Sequence, residues 1–128
     1  MCLEAYAAGV MDGDGSIQIQ RVTRNGAYRL TIYLSGCNDK PLYSLQRRWG
    51  GGITHSRTLT GRPYHRWHLT SYKAAEFLED ILEFLIGKED QAELALRFQF
   101  SKRNRSADQD MMNLMRSYSV RGKVIKES

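Results

Sequence analysis

Cysteine and proline are scarce in this chain. Its 128 residues include two cysteines, Cys2 and Cys37, and two prolines. Two thiols are too few for a disulfide scaffold or for a paired-cysteine zinc site. Read as reduced thiols, they fit an intracellular protein. No run approaches the ~18 consecutive apolar residues that a membrane-spanning helix needs. No apolar signal-peptide segment follows Met1. A membrane protein, a secreted mini-protein and a disordered tail are thereby excluded, and neither a membrane nor a small-molecule cofactor is expected as a partner.

Acidic residues are missing from one long stretch. Between Gly15 and Thr70 the only acid is Asp39, against nine bases (Arg21, Arg24, Arg29, Lys40, Arg47, Arg48, Arg57, Arg62 and Arg66), a local balance of +8. Ser71 to Phe100 carries −4, and Ser101 to the C-terminus +4. The overall +5 and the pI near 9.4 average over this asymmetry. A chain that needs only solubility mixes its signs, so a fifty-odd-residue block with one acid points to a polyanionic partner. The chain is long enough to bury a core and short enough to be one domain, residues 1–128.

Patterning predicts the elements in order. Leu3–Asp12 is Ala-rich and helical, with small residues at Ala5, Gly9 and Gly13 that admit a close helix neighbour. Asp12-Gly13-Asp14-Gly15 ends it, glycine being suited to a left-handed cap. Ser16–Val22 and Tyr28–Ser35 alternate as strands around an Asn25-Gly26 turn. Asn38 and Asp39 offer caps to a helix over Pro41–Trp49, which the glycines at 50–52 stop. A second hairpin, Ile53–Thr60 and Tyr64–Thr70, turns at Gly61-Arg62-Pro63. Helices follow over Ser71–Leu85, Glu89–Ser101 and Ala107–Tyr118, with Trp49, Trp67 and the Met111/Met112/Met115 cluster read as core.

This order is α+β: α-β-β-α-β-β-α plus C-terminal helices. A four-stranded antiparallel sheet would have one face covered by helices and the other polar. The polar face is expected to carry Gln18, Gln20, Arg29, Thr31, Tyr33, Ser35, His55, Arg57, Tyr64, Arg66 and His68, side chains able to read base edges. Arg24, Arg62 and the tail residues Lys102, Arg103, Arg105, Arg121 and Lys123 are better suited to phosphates. A zinc site built on His55, His65 and His68 is disfavoured, because His65 and His68 point to opposite faces of a strand.

Asp12 and Asp14 stand where a helix dipole disfavours negative charge, and hard oxygen ligands suit Mg²⁺. An ordinary role at a glycine turn is the alternative for Asp12. The surrounding run, Tyr6-Ala7-Ala8-Gly9-Val10-Met11-Asp12-Gly13-Asp14-Gly15-Ser16-Ile17, resembles the signature of the LAGLIDADG homing endonucleases. It keeps the Ala, the Gly, both Asp and the final Gly, with Gly13 in place of an alanine. The resemblance covers about Leu3 to Phe100.

The resemblance implies the LAGLIDADG fold and a site-specific double-stranded DNA endonuclease. It would hydrolyse phosphodiesters with Mg²⁺, in a site that Mn²⁺ or Ca²⁺ can occupy in crystals, and leave 3′ overhangs. A single copy of the motif implies a homodimer and a near-palindromic target, with Ala5, Ala8, Gly9 and Asp12 at the interface, and an intron-encoded origin. By position, Asp14 would hold metal with the Gly13 carbonyl beside it. Asn38 would orient water, although it also suits a helix cap. Lys88 would stabilise phosphate charge, although an exposed lysine is usually only solvated. The alternative on the same fold is a non-cleaving protein, an intron RNA maturase or a DNA-binding regulator.

Overall fold

Apolar side chains at every second position give the strands one wet and one dry face, and pairing then fixes where each face points. In the computed structural model, the backbone is described for residues 2–22, 26–101 and 105–127, and side chains for these except Arg105 and residues 119–127. The elements are α1 (Leu3–Asp14), β1 (Gly15–Arg21), β2 (Tyr28–Gly36), α2 (Lys40–Trp49), β3 (Gly52–Arg57), β4 (Pro63–Thr70) and α3 (Ser71–Ile81). A 3₁₀ turn (Leu82–Phe84), α4 (Glu89–Phe100) and α5 (Arg105–Glu127) complete the order. The strands form one antiparallel sheet in the order β1-β2-β4-β3.

The register sorts the side chains. Ile17, Ile19, Leu30, Ile32, Leu34, Trp67 and Leu69 are all 3% exposed or less. They stand opposite one another as Ile17–Ile32, Ile19–Leu30, Leu34–Trp67 and Ile32–Leu69 pairs. The helices cover this face. Phe77 of α3 fills its centre, meeting the rings of Trp49 and Trp67 edge-on at centroid distances of 4.8 and 5.2 Å. The two indoles keep their N–H groups satisfied, Trp67 donating to the Gly50 carbonyl at 2.8 Å and Trp49 to Asp80 at 2.8 Å. Such burial with the polar atom paired is what makes a tryptophan net stabilising in a core. Met112 and Met115 of α5 close the far end.

Several boundaries move. α1 continues through Asp14, and its C-cap Gly15 is extended (φ −83°) rather than left-handed. Gly15 is required for space: a Cβ there would lie 2.9 Å from the Met11 Cα. The long helix expected to reach Leu85 stops at Ile81 and tightens into the 3₁₀ turn. Ser71, expected to cap it, is its first residue, at φ +54°. β3 ends at Arg57, where the hairpin turn takes over through Thr58, whose carbonyl accepts from Gly61 N at 2.9 Å. α5 runs well beyond Tyr118. The expected Asn25-Gly26 turn lies partly outside the described residues.

Phe77→Ala should remove the shared partner of both tryptophans and lower stability by about 3–5 kcal/mol, read by chemical denaturation.

Candidate functional site

The end of α1 holds two carboxylates with opposite fates. Asp12 is fully engaged: its Oδ2 accepts from Ile86 N at 2.8 Å and its Oδ1 from Lys88 N at 2.9 Å. The Lys88 Nζ in turn donates to the Asp12 carbonyl at 3.0 Å. Asp12 therefore clamps the loop that precedes α4 onto the last turn of α1, and it carries half-buried Lys88 to that turn. Asp14 is exposed, and its carboxylate meets no hydrogen-bond or ion-pair partner among the described residues. No basic residue lies in the last turn of α1 to offset its charge. A carboxylate left at the negative end of a helix dipole costs a few tenths to ~1 kcal/mol, and a cation would relieve it. The Asp14 carboxylate and the neighbouring Gly13 carbonyl are hard oxygen donors of the kind that Mg²⁺, Mn²⁺ or Ca²⁺ accepts.

β2 runs past this point. Gly15 pairs with Leu34, so the end of β2 and the following turn with Asn38 lie at the same end of the sheet as Asp14. Asn38 is exposed, and its Oδ1 accepts from Lys40 N at 3.1 Å, the capping role open to it from sequence. Asp14, Lys88 and Asn38 thus come to one end of the fold, Lys88 through a clamp that joins residues far apart in sequence.

The open face of the sheet is polar, with contents that differ in part from expectation. The pairs Gln18–Thr31, Gln20–Arg29, Tyr33–His68 and Ser35–Arg66 place these residues together, with Tyr64 on the same face. The β3 register overturns two assignments. Ile53 lies opposite Trp67, and His55 and Arg57 follow it at alternate positions, opposite His65 and Pro63. His55 and Arg57 are therefore on the helix-side face. Thr54 and Ser56, opposite Arg66 and Tyr64, take their places on the open face. Arg57 donates to the Gly61 carbonyl at 2.9 Å, bracing the hairpin turn. Thr31 has the expected orientation but is only 1% exposed, packed into the sheet with no partner for its Oγ1. Arg62 is exposed in the β3–β4 turn. Arg24 and the tail residues Lys102 and Arg103 lie outside the described residues, as do the side chains of Arg105, Arg121 and Lys123.

Acids are absent from this face as well as from the surrounding sequence. Of the nine bases in the +8 block, Arg29 and Arg66 project from it. Lys40, Arg47 and Arg48 belong to α2 instead, and Arg48 reaches Glu4 and Asp80 at 3.7 and 3.4 Å. The face is held in place by its own bonds. Gln20 donates to Gln18, which donates to Ser16, both at 2.8 Å, and Gln20 reaches the Tyr33 hydroxyl at 3.3 Å. The Arg66 guanidinium stacks over Tyr33 at 4.9 Å and donates to Ser35 and the Tyr64 hydroxyl. The Ser35 hydrogen bond, and after it Arg66, hold the Tyr64 phenol below its ordinary pKa. A pre-ordered row of amide, phenol and guanidinium groups suits hydrogen-bonded recognition of a polar surface at low ordering cost.

The outer face of α1 is small and bare. Ala5, Gly9 and Gly13 are exposed, and a Cβ at Gly9 or Gly13 would meet nothing within 4 Å. Ala8, expected at an interface with a second copy, is instead fully buried in this chain's own core. The sequence reading also missed the group formed by Asp39, His55 and His65, whose ligand atoms lie within 4.8 Å of one another. Ile53, the one apolar residue of β3, was the single and weak sequence signal for its phase.

No protein-family model matches the chain, and no curated protein matches it. Solved structures do. The homing endonuclease I-CvuI, in complex with its target in the presence of Ca, superposes with a TM-score of 0.61 at 24% identity, over 74% of this chain and 64% of that one. A second I-CvuI complex, in the presence of Mg with its DNA not cleaved, gives 0.63 at 19% identity over 88% and 93%. The archaeal intron-encoded homing endonuclease I-Vdi141I, complexed with DNA, gives 0.61 at 12% identity over 88% and 95%. The LAGLIDADG homing endonuclease I-SmaMI, bound to cleaved DNA, gives 0.61 at 18% identity, but the chain spans only 42% of its length.

The two carboxylates should separate in a stability measurement. Asp12→Ala strands two loop N–H groups and should lower stability by about 1.5–3 kcal/mol. Asp14→Ala should leave the melting temperature unchanged or raise it.

Proposed function

We propose, from the LAGLIDADG homing-endonuclease fold of this chain, that it is a site-specific, divalent-metal-dependent DNA endonuclease that works as a homodimer inside the cell and is intron-encoded. The observation that carries the reading is the unpartnered Asp14 beside a fully engaged Asp12. One acid builds the site, and the other remains for a ligand.

In this reading, Asp14 and the Gly13 carbonyl would hold the ion, with Mg²⁺ as the working metal. When bound, such an ion supplies an activated water and charge to stabilise a leaving 3′ oxygen. Lys88, held against α1 by Asp12, brings a cation to the same end of the fold, where it would offset phosphate charge. Asn38, exposed at the same end of the sheet, would orient water. The open sheet face, free of acids and carrying Gln18, Gln20, Arg29, Tyr33, Ser35, Tyr64, Arg66 and His68, would lie against the major groove, whose edges match amide and guanidinium donors. Arg62 at the hairpin tip would meet backbone phosphates. That I-CvuI and I-Vdi141I were each solved with DNA supports the choice of partner.

The bare face of α1 supports the dimer. A glycine inside a helix costs roughly 1 kcal/mol relative to alanine. Neither Gly9 nor Gly13 is required by a contact within the chain. Close approach of a second α1 backbone accounts for both. The match also covers 64% and 93% of the two I-CvuI chains and 95% of I-Vdi141I, but only 42% of I-SmaMI. Twofold symmetry would pair two Asp14 sites and read a near-palindromic target, leaving 3′ overhangs.

Asp14→Asn should retain specific binding to a target selected from a randomised duplex library and lose cleavage in Mg²⁺. Cleavage retained by that variant would refute the nuclease assignment, and a parent chain that binds but never cuts would favour the non-cleaving alternative. Gly9→Leu should keep the fold by circular dichroism but run as a monomer in light scattering, with cleavage lost.

A further inference from the structure

We propose that Asp39, His55 and His65 form a transition-metal site of the Zn²⁺ class, distinct from Asp14. The register puts His55 directly across from His65 on the β3–β4 hairpin. In the row above them, Ile53 packs on the core and Trp67 is buried in it. At the histidine row the helix cover ends, leaving His55 exposed and His65 half-buried. Asp39 enters from the turn before α2. Its carboxylate makes no capping bond to that helix, because Asn38 supplies the cap instead.

The donor atoms converge. Those of all three residues lie within 4.8 Å of one another, and the two Nδ1 atoms are 2.7 Å apart. Two nitrogen ligands on one tetrahedral Zn²⁺ sit roughly 3.3 Å apart, given Zn–N bonds of about 2.0–2.1 Å. A small ring rotation of exposed His55 therefore opens room for the ion. The outer nitrogen of that ring is already engaged: Nε2 lies 3.3 Å from the Tyr43 hydroxyl of α2. A partner on the outer nitrogen directs the other toward a metal, as in established histidine sites. Two imidazoles and one carboxylate favour Zn²⁺, Ni²⁺ or Cu²⁺ over Mg²⁺ and leave positions open for water. His68 takes no part, since it projects from the other face, over Gly52.

A bound ion would join the β2–α2 turn to both strands of the hairpin. β3 is an edge strand with Ile53 as its one apolar residue. Cross-linking it to the turn before α2 would stabilise a strand none of whose residues is fully buried.

The test uses the full-length, tag-free protein, stripped with a chelator and titrated with ZnCl₂ in excess Mg²⁺ so that oxygen-only sites are occupied. One saturable Zn²⁺ per chain by calorimetry, with a higher melting temperature, is expected. His55→Gln and His65→Gln should each weaken binding more than ~10-fold while keeping the metal-free circular dichroism of the parent. Asp14→Asn should bind Zn²⁺ as the parent does. Absence of saturable binding overturns the proposal. So does undiminished binding by the His55→Gln, His65→Gln double variant, or loss of binding in Asp14→Asn.

Discussion

The pairing of β2 with β1 on one side and β4 on the other is the constraint on which the rest depends. Because side chains alternate, a slip of one residue would exchange the buried and open faces of the whole sheet. The Ile17–Ile32 and Leu34–Trp67 rows exclude that slip, since each would place large apolar groups in water. Once the rows are fixed, Gln18, Gln20, Tyr33 and Arg66 share the opposite face, and Asp14 arrives where β2 leaves the sheet. The recognition surface and the carboxylate site therefore follow from one register.

A second constraint divides labour at the end of α1. Asp12 spends its carboxylate on the Ile86 and Lys88 amides, a bond set that spans most of the chain. Asp14, two residues later and turned outward, has no such duty. Adjacent acids of the same type are thus structural and available, respectively. The difference comes from which face of the last helical turn meets the loop. Gly15 completes the arrangement by letting β1 fold back against Met11 where any side chain would collide with the helix.

The charge asymmetry has a structural explanation more specific than a basic block. Most of its cations are dispersed over α2, the turn and the strand ends. The open face carries Arg29 and Arg66 among neutral donors. What marks that face is the lack of carboxylates together with hydrogen bonds that pre-order its side chains. Such a face gains selectivity from donor geometry more than from bulk charge. Diffuse cations elsewhere attract a polyanion without specifying its sequence.

Much of this was determined by the sequence alone. The element order, the dry faces of β1, β2 and β4, the bare row Ala5, Gly9, Gly13 and the paired acids all follow from local periods and turn chemistry, whose range is a few residues. Only tertiary structure decided the rest. β3 has one apolar residue, too weak a pattern to set its own phase, so its partner strand placed His55 and Arg57 on the helix side and brought His55 to His65. Thr31 was sealed by its neighbours across the sheet, and Ala8 was claimed by the chain's own core. The roles of Asp12 and Lys88 rest on a contact between residues 76 apart, and no local pattern encodes an encounter made by packing.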